Sequence, residues 1–459
     1  MASFAVENFG CRATQADAAA IERQLMAQGF EPSSEPARAD VIVLNTCTVT
    51  ASADRQAREA IRRIHRANAS ARIIVSGCYA QRAPEELAVL EGVTAVVGNS
   101  HQASIPGLAA SFFSAVQSAP PAVEKLIPLD ALASGALSLA RAPAKILTGD
   151  IFAETDFCFE PATPQFERTR PVLKIQDGCN NRCSYCVIPF VRGRSRSLPP
   201  RWVIEEIRRL AAAGHREIVV SGINLGSYGR DLSPRMNLLE LVRLILDESP
   251  LEFLRLSSIE PMDVTRELIE CVASSGRIAP HFHVPLQSGS DRILRAMHRW
   301  YRAEHYARHI ELIRELLPHA AIGADVITGF PGETDDDHRT TLEFIAALPF
   351  TYLHVFSFSA RPGTAAAQSG SLVPLRVIQL RAKELRALAE QKKAEFLGSQ
   401  SGSILRALTL HRRGDDWTEA LSGNYIKLRV SGLWPAGEWC EVSYSPGDAP
   451  LPASFRPVL

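Results

Sequence analysis

What is scarce in this 459-residue chain narrows the field before any motif is read. There is no excess of either charge: 50 basic residues balance 50 acidic ones. That argues against a protein that coats nucleic acid by bulk charge, while leaving room for a local basic patch. No run of 18 or more apolar residues is free of charges and turn formers, so no membrane span is expected. The first residues, Met1-Ala2-Ser3-Phe4-Ala5-Val6-Glu7-Asn8, lack a basic segment leading into an apolar one. No signal peptide is expected, and a cytoplasmic location follows. No internal repeat with a fixed period is evident. Cysteine numbers nine, an odd set. In a long chain expected to stay reduced, that disfavours disulfides and points to metal or redox chemistry.

What is present is a globular composition, 46% hydrophobic and 22% charged, long enough for two or three domains. Residues 1–105 alternate strand and helix patterns, with strands at Phe4–Asn8, Val41–Asn45, Arg72–Ser76 and Thr94–Gly98. This reads as a small parallel α/β sheet domain. Cys11, Cys47 and Cys78 each fall just past a strand's carboxyl end, the edge where open α/β sheets bind ligands. Residues 106–165, rich in Ala, Ser and Pro, read as a linker. Residues 166–397 give six βα units, with strands at Pro171–Gln176, Glu217–Gly222, Phe253–Ser257, His281–Leu286, Gly323–Gly329 and Leu353–Phe358. Six such units predict a partial (β/α)6 barrel with its active site at the carboxyl ends of the strands. Residues 398–459 read as a small antiparallel β-barrel, with runs at Leu405–Leu410, Tyr425–Val430 and Trp439–Tyr444.

The strongest local signal is Lys174-Ile175-Gln176-Asp177-Gly178-Cys179-Asn180-Asn181-Arg182-Cys183-Ser184-Tyr185-Cys186. Thiolates are the ligands of iron–sulfur clusters. Three of them hold three irons of a four-iron cluster and leave the fourth open to a small molecule. A zinc site usually takes four protein ligands, and the next candidate, His215, is distant in sequence. The Cys-x3-Cys-x-aromatic-Cys spacing resembles the radical S-adenosylmethionine superfamily. The resemblance implies that the open iron chelates S-adenosylmethionine and that an electron from the cluster cleaves it to methionine and a 5′-deoxyadenosyl radical. It places Tyr185 near the adenine. Cofactor contacts are implied for Ser221 and Gly222 after the second strand, Ser258 and Glu260 after the third, and Gln287 and Ser288 after the fourth. No catalytic residue is assigned beyond the cluster ligands. His281 and His283, on one strand face, suit a core or pocket role better than metal ligation.

Asn8-Phe9-Gly10-Cys11, Leu44-Asn45-Thr46-Cys47-Thr48-Val49-Thr50 and Ser76-Gly77-Cys78-Tyr79-Ala80-Gln81 look like three motifs of the methylthiotransferases. With the radical motif and the tail, the likeness covers nearly the whole chain. It implies a second 4Fe-4S cluster on Cys11, Cys47 and Cys78 that carries or donates sulfur. Cys158, Cys271 and Cys440 lack this convergence, and Cys271 reads as core. Among the family's branches, Thr48-Val49-Thr50, Ala53-Asp54-Arg55, His354-Val355-Phe356 and Arg361-Pro362-Gly363-Thr364 resemble the one acting on N6-threonylcarbamoyladenosine in tRNA. Other branches act on isopentenyladenosine in tRNA or on an aspartate of ribosomal protein S12. Ser221-Gly222-Ile223-Asn224-Leu225 departs from relatives that often carry Thr there. A zinc-stabilised, non-catalytic RNA-binding protein is the reading from another class.

The implied partners are the tRNA anticodon stem-loop and a reductant such as flavodoxin or ferredoxin. The tail resembles the small RNA-binding barrel (TRAM-like) of these enzymes, yet six basic residues there meet six acidic ones. RNA contact is expected instead from Arg192, Arg194 and Arg196, with Tyr425 a candidate for stacking on bases.

Overall fold

Within the computed structural model, residues 2–114, 143–155, 157, 169–447 and 449–455 are described. They fall into two units, 1–154 with 190–192, and 155–189 with 193–459. The first unit is built on six strands: β1 (Ser3–Asn8), β2 (Glu31–Pro32), β3 (Val41–Thr46), β4 (Arg72–Gly77), β5 (Val93–Val97) and β6 (Lys145–Leu147). They form one sheet in the order β2-β1-β3-β4-β5-β6, every pair parallel. The central strand β3, Val-Ile-Val-Leu-Asn-Thr, is buried at every position, as a parallel strand covered on both faces must be. Helix Ala51–Ala67 covers one face with Ala57, Ala60, Ile61 and Ile64, a helical stripe. It starts at Thr50, whose hydroxyl accepts the Ala53 N–H at 3.2 Å.

Part of the expected linker, 106–165, belongs to this unit. Helix Ile105–Ser114 packs Ile105, Leu108 and Ala109 with Phe4, Ile74 and Val97 of the sheet, and β6 extends the sheet. Small Ala and Ser side chains gave this helix little hydrophobic contrast, and a three-residue strand is too short for a pattern. Pro120-Pro121 and Cys158 lie outside the described residues.

The second unit opens with β7 (Val172–Asp177), β8 (Arg196–Ser197), β9 (Glu217–Gly222), β10 (Phe253–Leu256), β11 (His281–His283), β12 (Ala321–Thr328) and β13 (Tyr352–Ser357). Six of these are the strands of the expected partial (β/α)6 barrel, paired in parallel as β10-β9-β7 and β11-β12-β13. A single bridge, Leu254 to Ile278, links the region of β10 with that of β11. The other edge of β7 takes the short antiparallel β8. Leu173, Ile175, Val220, Leu254, Phe282, Ile322 and Val326 form a continuous buried core.

The helix Leu375–Ser399 leads to β14 (Ile404–Arg413), β15 (Trp417–Ser422), β16 (Lys427–Ser431), β17 (Trp439–Ser443) and β18 (Ala453–Ser454). These make an antiparallel sheet, β16-β15-β14-β17-β18, with one further bridge, Val430 to Leu451. Arg255, fully buried on β10, joins this sheet to the barrel. Its Nε donates to Glu217 Oε1 at 2.6 Å, and its Nη1 and Nη2 donate to the carbonyls of Gly423 and Ser422 at 3.0 and 3.2 Å. No helix among the described residues is long and apolar enough to cross a membrane.

Candidate functional site

In the first unit, Cys11 precedes helix Arg12–Ala27, Cys47 follows β3, and Cys78 opens the helix Cys78–Arg82 directly after β4. Because β1, β3 and β4 are neighbours in the sheet, the three thiols converge. A Cβ on Gly10 would meet Cys47 Cβ at 2.9 Å, so this backbone approach demands glycine. Burial pushes the Cys47 thiol up to about 12, and the neighbouring Cys78 and Cys11 charges push in the same direction. Burial raises Cys78 too, against the charge of Arg192. Thiols crowded and desolvated in this way become stable thiolates when a cation takes the charge. The loops are braced by the motif residues themselves. Thr48 Oγ1 donates to Asp54 at 2.6 Å, and Arg82 donates to Thr48 and Asp54 at 2.8 and 3.0 Å. Asn45, fully buried, donates to the Thr14 carbonyl at 2.8 Å.

The second trio sits on the loop after β7. Gly178, at φ +69, starts it; a Cβ there would lie 2.0 Å from the Arg194 carbonyl oxygen. Burial pushes Cys186 up to about 12, followed by the charge of Cys183, and burial likewise raises Cys179. Hydrogen-bond donors face the sulfurs: Asn181 N and Asn224 Nδ2 lie 3.4 and 3.9 Å from Cys179 Sγ, and Arg299 Nη1 lies 3.3 Å from Cys183 Sγ. Three soft thiolates with N–H groups aimed at sulfur, and no fourth cysteine beside them among the described residues, fit an iron–sulfur cluster with an open position.

Two organising residues escaped the sequence reading. Gln176 is fully buried; its Nε2 donates to the carbonyls of Asp177 and Gly178 and to Ser195 Oγ, while its Oε1 accepts Asn224 N–H at 2.7 Å. One amide thereby fixes the cysteine loop against the loop after β9. Arg299 pairs with Glu260, donates to Cys183, and donates to Tyr301 at 3.2 Å. Burial raises the Glu260 carboxyl, opposed by the Arg299 charge. Only position in the fold reveals either role.

The expected cofactor residues divide. Ser221 is buried, and Gly222 packs on Gln176. Tyr185 stands edge-on to Phe330 at 6.5 Å. Gln287 adopts φ +66 and joins β12 through its backbone. Ser288, almost wholly buried, commits its hydroxyl to Thr341 Oγ1 at 3.3 Å and to Ser290 N–H at 3.2 Å. Ser258 Oγ meets His283 Nδ1 at 2.7 Å. His283 Nε2 and His354 Nδ1 both lie 3.2 Å from one oxygen of Asp325. This polar array on β11, β12 and β13 supplies the partners for His283 that the sequence left without a third member. The Asp325 charge also reaches Glu260.

One RNA candidate is otherwise employed. Arg192 is buried in the first unit, with Nη2 2.7 Å from Asp17 and Nε 3.3 Å from Cys78 Sγ, so it offers nothing to a phosphate. Tyr425 stacks on His281 at 4.4 Å and carries Arg255 on its ring at 5.4 Å, and it stays half-buried. Arg194 is exposed and Arg196 half-buried. Cations that the sequence reading passed over line a cavity of about 700 Å³ beside His354 and Tyr425: Lys393, Lys427 and Arg429, against one acid, Glu390. Cys271 packs at the edge of the barrel core and Cys440 is buried in the tail.

Comparison with known proteins adds the following. Residues 3–98 match an uncharacterised protein family, UPF0004, and residues 173–345 match the Radical SAM superfamily. The chain is 35% identical to the threonylcarbamoyladenosine tRNA methylthiotransferase MtaB of Aquifex aeolicus, over 95% of this chain and 99% of that one. It is also 35% identical to the enzyme of the same name from Bacillus subtilis, over 94% and 91%. A tRNA-2-methylthio-N(6)-dimethylallyladenosine synthase of Syntrophobacter fumaroxidans is 35% identical over 88% and 84%. Among solved structures, the radical S-adenosylmethionine methyltransferase TsrM of Kitasatospora setae superposes with a TM-score of 0.56 at 17% identity, covering 84% of each chain; that likeness is one of fold.

Proposed function

The chain belongs to the radical S-adenosylmethionine methylthiotransferase family, and from that membership we propose that it methylthiolates C2 of N6-threonylcarbamoyladenosine beside the anticodon of tRNA. Enzymes of this family work with S-adenosylmethionine and two 4Fe-4S clusters. In this reading Cys179, Cys183 and Cys186 hold one cluster, and Cys11, Cys47 and Cys78 the other. Bound there, a reduced cluster and S-adenosylmethionine supply one-electron cleavage to a 5′-deoxyadenosyl radical able to take hydrogen from an unreactive carbon. The chain's own residues orient the parts. Gln176 fixes the cysteine loop, Arg299 holds Glu260 and the Cys183 sulfur in one relation, and Tyr185 lends an aromatic wall for adenine.

The observation that carries the substrate choice is the polarity of the array Ser258, His283, Asp325 and His354. A threonylcarbamoyl group brings a urea, a hydroxyl and a carboxylate that need partners in a desolvated site. The four side chains already pair with one another, and an isopentenyl group would offer them no further polar partner. The Aquifex and Bacillus relatives, matched over nearly their full lengths, are named for the same substrate. The cavity bearing Lys393, Lys427 and Arg429 supports approach of an RNA backbone. The enzyme is placed in the cytoplasm, with a flavodoxin- or ferredoxin-type reductant.

The test is conversion in vitro. Anaerobically reconstituted protein with about eight irons, S-adenosylmethionine and dithionite should add a methylthio group to tRNA carrying threonylcarbamoyladenosine. His354→Ala should lower that conversion while 5′-deoxyadenosine still forms. Preferential conversion of isopentenyladenosine tRNA by the parent protein would overturn the choice of substrate.

A further inference from the structure

Arg192 is a buried charged group that the proposed chemistry leaves without a task. It belongs to the first unit, where it is 2% exposed and its partner Asp17 is 3% exposed. Two neighbouring N–H groups on it face different partners. Nη2 donates to Asp17 Oδ2 at 2.7 Å, and Nε points at Cys78 Sγ from 3.3 Å. Asn99 Nδ2 approaches the same sulfur at 3.6 Å. Desolvating a guanidinium and a carboxylate costs several kcal/mol per ion and is often not repaid by their attraction. An apolar pair of similar volume would hold the helix Arg12–Ala27 in place as well. The feature an apolar pair could not supply is a cation with one N–H on a thiolate.

The potential of an iron–sulfur cluster is set by net charge, by hydrogen bonds to its sulfurs and by exposure. Arg192 acts on the first two at a site where burial makes them strong. We propose that Arg192 is a positioning residue that raises the reduction potential of a cluster held on Cys11, Cys47 and Cys78, with Asp17 setting the orientation and partly offsetting the charge. This rests on the reading that those three cysteines hold a cluster. The guanidinium touches both the carboxylate and the sulfur, and the two charges have opposite signs, so removing either shifts the potential, and in opposite directions. A merely structural ion pair predicts no such opposition.

The experiment uses the full chain with Cys179, Cys183 and Cys186 replaced by alanine, reconstituted anaerobically, so that a single cluster titrates. Midpoint potentials are read by electron paramagnetic resonance. The expected order is Asp17→Asn above the parent, Arg192→Lys at or slightly below it, and Arg192→Gln lowest, each with about four irons. Equal potentials at unchanged iron content would overturn the proposal. So would failure of all three variants to hold iron, which would make the pair a requirement for assembly. Should only Arg192→Gln lose iron, the order of Asp17→Asn, parent and Arg192→Lys decides. A parent chain that binds no iron at this trio removes the two-cluster reading and this proposal with it.

Discussion

At the scale of single residues, cations and amides organise what the cysteines begin. Arg299 is the clearest case, touching Cys183, Glu260 and Tyr301 at once. Outer partners of metal ligands typically carry 10–100-fold of activity. Arg299→Met should therefore retain about eight irons yet form 5′-deoxyadenosine at least about tenfold more slowly; an unchanged rate would deny Arg299 this part. Asp325 gives a pH prediction. Burial alone would raise its carboxyl, but hydrogen bonds and charges from His283 and His354 outweigh burial and hold it well below the usual carboxylate range. Its folded pKa thus lies under the unfolded value of about 3.9. The stabilisation is full above that value and is lost as pH falls through the folded one. The difference in melting temperature between the parent and Asp325→Asn should be wider at about pH 5 than below about pH 4. A gap that stays constant down to acid pH would contradict it.

At the scale of elements, Arg255 couples β10 to the turn after β15. Arg255→Met strands the fully buried Glu217, although Arg170 remains 3.1 Å from it. Loss of one partner from a buried pair costs about 3–5 kcal/mol, and the retained Arg170 sets the expectation at about 3, measured by thermal unfolding. Arg255→Met with Glu217→Gln should recover part of it. A melting temperature equal to the parent's would show that the pair contributes nothing. The elements that were legible in the sequence are those with strong periodicity: β3 with its unbroken apolar run, and the six barrel strands spaced by helices. The short strands β2, β6, β8 and β18 carry no pattern of their own and exist because a neighbour's edge is there to pair, whereas the equally short β11 opens a longer run, His281–Leu286, that could be read. Cys11, Cys47 and Cys78 could be brought together from sequence because parallel topology puts successive strand ends side by side. Gln176 and Arg299 could not, since Asn224, Cys183 and Glu260 lie on distant elements, nor could Lys393 and Lys427, which reach one cavity from separate elements. Arg192 misled because a basic run usually marks a solvated surface, and burial reversed its meaning.

At the scale of the whole molecule, each unit brings a trio of thiols to strand ends, and the second adds a polar array and a cation-lined cavity. Membership of the methylthiotransferase family gives these parts a common purpose, and the polar array is the feature on which the proposed choice of modified adenosine rests. The measurement that tests this most directly is nucleoside mass spectrometry of tRNA from a strain lacking the gene. The account predicts that 2-methylthio-threonylcarbamoyladenosine disappears, that unmethylthiolated threonylcarbamoyladenosine accumulates, and that the full chain restores the former while its Cys11→Ala variant does not. Unchanged 2-methylthio-threonylcarbamoyladenosine in the deletion strain would contradict it.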